Sequence, residues 1–212
     1  MHQEEMSTRE TILFLLKTND ELSAKQLTEQ LNITSMAVRR HLDALERDGF
    51  IESRTVRQPM GRPSALFRLT ERAGILFPHN YHALALDLLD ELAQESGEMM
   101  VERLFERRQE KLYKKYAGAM ADKSLHERVS LLAGIQNENG YMVEWEKNSE
   151  DEFVFTEHNC PISHIATPYN HACNCELQLF ESLLDADISR PECLSQGDRK
   201  CVYKIRQRNR QA

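Results

Sequence analysis

The chain has 212 residues, with 27 basic and 34 acidic side chains, a formal net charge of −7 and 41% hydrophobic residues. That is long enough for one large domain or two small ones with a real core. No apolar run reaches the ~18–20 residues of a spanning helix, and the opening MHQEEMSTRE lacks the apolar centre of a signal peptide, so the expectation is a cytoplasmic protein without a membrane partner.

The acidic average argues against nucleic acid only until it is partitioned. Residues 1–72 carry 11 Lys/Arg and 11 Asp/Glu, whereas residues 73–212 carry 16 and 23, which is the whole excess. Between 35 and 72, eight arginines (Arg39, Arg40, Arg47, Arg54, Arg57, Arg62, Arg68 and Arg72) stand against five acids. Charge asymmetry of this kind points to separate tasks for the two regions.

Ser7-Thr8-Arg9-Glu10 is a capping box opening a first helix that ends near Asn19, with Ile12, Leu13, Leu15 and Leu16 as its apolar face. Ser23-Ala24-Lys25-Gln26 is a second box, followed by Leu27 and Leu31. After Asn32-Ile33-Thr34, Ser35 is the expected cap of a third helix running towards Asp48, with Gly49 suited to its end. Val38, Leu42 and Leu45 share one face of it, and Met36, Arg39, Arg40 and Asp43 the other. Residues 50–57 and 65–69 read as two strands around the turn-rich Gln58–Ser64, whose Gly61-Arg62-Pro63 tip can place Arg62 in a narrow minor groove. Helix, helix, capped helix and hairpin make a winged helix-turn-helix. Its second helix of the motif suits the major groove of double-stranded DNA. Thr34, Ser35, Arg39 and Arg40 are the reading-helix candidates, and Arg57 and Arg62 those of the wing.

The middle is helical. A stretch from Thr70 and Glu71 breaks near Pro78, and from Tyr81 the residues Leu84, Leu88 and Leu92 recur every four positions. Ser96-Gly97 interrupts before Val101, Leu104, Phe105, Leu112 and Tyr116, and Ser124–Glu127 opens another helix ending near Asn139-Gly140. Part of this surface is expected to serve a homodimer, because one winged helix grips few base pairs and two-fold dimers read palindromic operators. The C-terminal region alternates strands and helices: Tyr141–Trp145 and Phe153–Phe155 as a hairpin, a helix after Pro161, another over 175–184, and a hairpin over 193–205. The fold class is therefore mainly α with α+β elements: a winged helix-turn-helix over 1–72, helices over 73–140 and an α+β cysteine-containing sensor over 141–212.

All five cysteines (Cys160, Cys173, Cys175, Cys193 and Cys201) fall in that last region. An odd, clustered set in a reducing compartment fits metal or redox chemistry better than a disulfide framework. Twelve residues separate Cys160 from Cys173 and twenty-seven separate Cys173 from Cys201, so neither the paired knuckles of a zinc ribbon nor the packed cysteines of a ferredoxin are present. Metal or cluster binding, a thiol switch and inert buried cysteines all remain open by spacing alone.

The chain resembles the Suf-operon repressor family of winged-helix regulators. The resemblance rests on residues 7–72 with Gly61-Arg62-Pro63, on His158-Asn159-Cys160-Pro161, Ala172-Cys173 and Glu176–Phe180, and on Cys193, Gly197-Asp198 and Cys201-Val202-Tyr203. It implies a homodimeric DNA-binding repressor that senses iron–sulfur or redox status through a [4Fe-4S] cluster in each subunit. Cys160, Cys173 and Cys201 fall on the family's ligand positions. Cys193 is taken as the fourth, ahead of Cys175, His164 and His171, because its hairpin would bring it beside Cys201. The rival expectation keeps the DNA-binding head and makes the cysteines a zinc or thiol-redox sensor. An enzyme is not expected, since no Gly-rich phosphate loop, nucleophile elbow or carboxylate pair is present.

Overall fold

The computed structural model describes residues 6–57, 63–149 and 152–208. Gly61 and Arg62 of the expected wing tip lie outside the described residues. Among the described residues no helix is long and apolar enough to cross a membrane. The chain divides into two compact units, Met1–His79 and Asn80–Ala212, so the central helices fold with the C-terminal sheet.

The first unit runs α1 (Thr8–Thr18), β1 (Glu21–Ser23), α2 (Ala24–Leu31), α3 (Ser35–Arg47), β2 (Ile51–Val56) and β3 (Ser64–Leu69), then a 3-10 turn over Glu71–Leu76. Both expected capping boxes form. Ser7 and Glu10 exchange side-chain and backbone bonds at the start of α1, as do Ser23 and Gln26 at the start of α2. The third cap differs from expectation: Thr34, not Ser35, accepts the Ala37 N–H at 3.2 Å, so Ser35 is already the first helical residue. Only from Thr34, one residue outside the helix in extended conformation, does a hydroxyl reach the third N–H. Ile12, Leu16, Leu27, Val38, Leu42, Leu45 and Ile51 form the core of this unit. Strand β1 is too short to have shown in the sequence; it pairs antiparallel with β3, giving the order β1-β3-β2.

The second unit opens with α4 (Tyr81–Ser96), α5 (Glu98–Met120) and α6 (Leu125–Glu138). Gly97 separates α4 from α5 at φ +83°, a conformation L side chains rarely adopt, which is why the helical pattern breaks there. A four-stranded antiparallel sheet follows in the order β4-β5-β7-β6, from β4 (Val143–Lys147), β5 (Glu152–Glu157), β6 (Ala186–Glu192) and β7 (Cys201–Gln207). Between β5 and β6 come the short α7 (Ser163–Ala166) and α8 (His171–Leu184). Alternate residues of β5 and β7 (Phe153, Phe155, Tyr203 and Ile205) are buried with Leu132 of α6 and Phe180 and Leu183 of α8.

Two expectations shift here. Helix α8 begins four residues before the expected Cys175, so Cys173 lies within its first turn rather than at a joint. The last hairpin pairs 186–192 with 201–207, and residue 193 leads into a 3-10 turn over Leu194–Gln196 instead of a strand. Pro191 hid β6 from the sequence. The strand tolerates it because β6 is at the sheet edge and the ladder shifts register between Ser189 and Glu192.

Candidate DNA-reading surface and thiol site

Helix α3 buries Val38, Leu42 and Leu45 and turns Ser35, Met36, Arg39, Arg40 and Asp43 to solvent. Thr34 is exposed as well, but its hydroxyl is engaged as the cap. Met36 is 81% exposed and stands on the same face as Arg40. The three-stranded sheet uses two of the eight arginines internally. Arg54 holds Glu21 through two bonds of 2.8 and 2.5 Å, and Arg68 holds Glu52 at 2.7 Å. Arg39, Arg40 and Arg57 form no salt bridge among the described residues, and all three are exposed. Among the described residues, guanidinium groups without a salt bridge thus stand on the reading helix and at the root of the wing.

In the second unit, four cysteines come from four places. Cys160 follows β5, Cys173 is in α8, Cys193 follows β6 and Cys201 begins β7. Cys173, Cys193 and Cys201 are buried and Cys160 is partly so. The Ser195 hydroxyl lies 3.2 Å from Cys173 Sγ and 3.1 Å from Cys193 Sγ, which puts those two sulfurs no further apart than the two distances together. The Leu194 N–H donates to Cys201 Sγ at 3.3 Å, and the Cys193 N–H donates to Asp198 at 2.7 Å, fixing the connecting loop. Arg190 donates to the Cys173 carbonyl at 2.6 Å, so a guanidinium stands behind the sulfurs.

These surroundings separate the thiols. Burial pushes Cys160 up to about 12 and Cys173 up to about 11, and pushes Cys201 upward too. For Cys193 burial also acts upward, but the Ser195 hydroxyl and N–H, then Arg190, outweigh it and the pKa falls below that of an ordinary thiol. Cys175 faces elsewhere: it is buried two residues beyond Cys173 and its neighbouring charges are Glu102, Glu106 and Arg108 of α5. The other rivals are not drawn in; His164 stacks on His82 at 4.5 Å, and His171 lies 3.5 Å from Glu106.

No three His, Cys, Asp or Glu side chains among the described residues are grouped as one metal ion would require. The donor chemistry nevertheless fits a cluster of several irons, where each metal takes its own thiolate. Three sulfurs from separate elements (Cys173, Cys193 and Cys201), an N–H aimed at one, a hydroxyl between two and a guanidinium behind them suit an anionic thiolate assembly.

Sequence reasoning missed the polar layer beneath the sulfurs. Glu157 is fully buried, accepts Gln136 Nε2 at 2.8 Å and the Tyr203 hydroxyl at 3.4 Å, and Tyr203 also reaches Glu176 at 3.3 Å. The phase of β5 could have found it, since Phe153, Phe155 and Glu157 share the inward face.

The first unit defines a class, a DNA-binding protein of the winged-helix type. Residues 7–52 match the family described as winged helix-turn-helix DNA-binding. Among solved structures, the chain is similar to the adhesin competence repressor AdcR of Streptococcus pyogenes, at 22% identity and a TM-score of 0.30, over 56% of this chain and 83% of that one. It is similar to ZitR, a zinc-responsive MarR family member of Lactococcus lactis, at 23% identity and a TM-score of 0.30, over 55% and 79%. It is similar also to a trafficking protein particle complex subunit 3 of Naegleria fowleri covalently bound to palmitic acid, at 11% identity and a TM-score of 0.40, over 61% and 96%. Scores this low define neither a shared whole-chain fold nor a ligand. No curated protein matches the chain.

Proposed function

We propose that this chain is a transcriptional repressor that reads a palindromic operator as a homodimer and senses iron–sulfur status through a [4Fe-4S] cluster held by Cys160, Cys173, Cys193 and Cys201. One observation carries the reading: Cys173, Cys193 and Cys201, up to 28 positions apart in the sequence, share a pocket of hydroxyl, N–H and guanidinium donors, while Cys175 is turned to another face. The resemblance to the Suf-operon repressors supports the choice of cluster. When bound, such a group supplies a labile link that oxidant, nitric oxide or iron shortage removes. The chain's own part is structural. Bound thiolates tie the loop after β5, the first turn of α8 and the β6–β7 connection into one body, and their release uncouples all three segments at once. The cluster-loaded form is taken as the tight operator binder.

The dimer is assigned to α4. Tyr81, Leu84 and Leu88 recur at helical spacing and are 72%, 58% and 63% exposed, an apolar stripe that a second copy would cover. Arg39 and Arg40 read the major groove and Arg57 contacts phosphate. A second reading rests on the depressed Cys193 thiol and on Cys201, whose sulfur accepts the N–H of the residue following Cys193; the pair suits a reversible disulfide.

Anaerobic purification followed by gel shift tests the proposal. Brown protein with broad visible absorbance and acid-labile sulfide, tighter on operator DNA than the apoprotein and weakened by Arg40→Ala, is expected. Colourless protein containing zinc, or a mass loss of two hydrogen atoms without iron, as disulfide formation with an external oxidant would give, would overturn the cluster. Unchanged shifts for Arg39→Ala and Arg40→Ala would overturn the DNA-reading surface.

A further inference from the structure

A cavity of about 280 Å³ lies between α5, α6 and α8; Pro161 and Ala172, the chain neighbours of Cys160 and Cys173, line it, but none of the four proposed ligands does. Protein interiors seldom leave voids much larger than a water, and an apolar space of about 150 Å³ already holds benzene, so this one has room for roughly ten heavy atoms. Its floor is apolar and buried: Leu132, Leu179, Phe180 and Leu183. Its rim is exposed and carries Arg108 and Lys115, seven residues apart on α5. Neither cation has a carboxylate within salt-bridge distance among the described residues; Lys115 rests over the Tyr116 ring at 4.8 Å. The one acid in the lining is Glu176. It accepts the Tyr203 hydroxyl at 3.3 Å, and Arg108 at the rim and Arg190 both act electrostatically against its carboxylate.

We propose that this cavity binds a small amphipathic anion, a carboxylate on an aliphatic or aromatic body, with its head at Arg108 and Lys115 and its body against Leu132, Leu179 and Leu183. Apolar walls supply the affinity and the two cations the orientation, the usual division of labour in a ligand pocket. Helix α8 gives the site a consequence. It carries Cys173 at the thiol site and, two residues on, Cys175 in the cavity wall, so an occupant packs against the helix that positions a sulfur. The site does not depend on the cluster.

Calorimetric titration of the reduced protein with octanoate, benzoate and uncharged 1-octanol tests it. One-to-one saturable binding of either carboxylate is expected, with octanoate at least about tenfold tighter than octanol. The double variant Arg108→Ala/Lys115→Ala should remove that preference and leave octanol unaffected. Leu183→Trp, which fills the floor, should abolish binding of all three. Because that variant also touches the core, Cys175 of the unaltered protein gives a separate readout: the bound carboxylate should slow its alkylation by N-ethylmaleimide, read by peptide mapping. No saturation by either carboxylate up to about 5 mM overturns the proposal. So does octanol binding as tightly as octanoate, or binding that leaves Cys175 unprotected.

Discussion

Replacing Glu157 by Gln should reverse its effect on stability between mildly acidic and mildly basic pH. Glu157 is fully buried and faces Gln136 from α6, Glu176 from α8, Arg190 from β6 and Tyr203 from β7. Burial, and then the Glu176 carboxylate, raise its pKa well above the ordinary value; Gln136, Tyr203 and Arg190 offset only part of this. The native state therefore keeps a proton that the unfolded chain has released. That contribution is complete below the unfolded carboxyl pKa of about 4.3 and is lost as pH rises through the folded pKa, at up to about 1.4 kcal/mol per pH unit. Gln keeps the shape and an acceptor for Gln136 but cannot ionise. The variant should be no more stable than the natural chain near about pH 5 and more stable near about pH 8, with a slope shallower by about 1 kcal/mol per pH unit. Urea denaturation of both proteins across that range, in reducing metal-free buffer, measures the difference. The contribution of Cys193 cancels because both proteins carry it. Parallel slopes would show that Glu157 is ionised in the native state and balanced by Arg190, and would refute the reasoning.

Two further predictions concern the scaffold. Thr34→Ala removes the cap bond at 3.2 Å and should cost about 1 kcal/mol of stability in chemical denaturation, while Thr34→Ser should restore most of it. Phe155→Ala empties a fully buried position whose ring packs edge-on against Phe180 at 5.9 Å and Tyr203 at 6.1 Å; a loss of about 3–5 kcal/mol is expected, read as a lowered thermal midpoint.

The helices were legible because their ends are written locally. Ser7 with Glu10, Ser23 with Gln26 and Ser124 with Glu127 each form the reciprocal bonds that their three-residue spacing announces. Thr34 and Ser35 compete for one cap, and local pattern alone cannot choose between adjacent hydroxyls. Strands β1 and β6 were missed for different reasons. Three residues are too few to show a period, so Glu21–Ser23 becomes a strand only because β3 lies beside it. Pro191 is a strand breaker anywhere except an edge or an irregular register, and both conditions depend on partners the sequence does not name.

The charge count was a guide to the DNA-reading surface that the structure sharpens. Composition credits all eight arginines equally, yet Arg54 and Arg68 neutralise Glu21 and Glu52 within the three-stranded sheet and Arg72 stacks on Phe50, whereas Arg39, Arg40 and Arg57 form no salt bridge among the described residues. Cysteine spacing behaved differently. It carried no hint of Ser195, Arg190 or the inward-facing Glu157, because those groups meet the sulfurs only through the pairing of β5, β6 and β7 and the placement of α8. What distinguishes Cys193 from Cys201 is likewise not distance along the chain. Ser195 and Arg190 favour the thiolate at Cys193, while burial dominates at Cys201 eight positions later. If the four thiols act as one site, deprotonation should begin at Cys193 and be hardest at the buried sulfurs around it, an order set by the fold rather than by the motif.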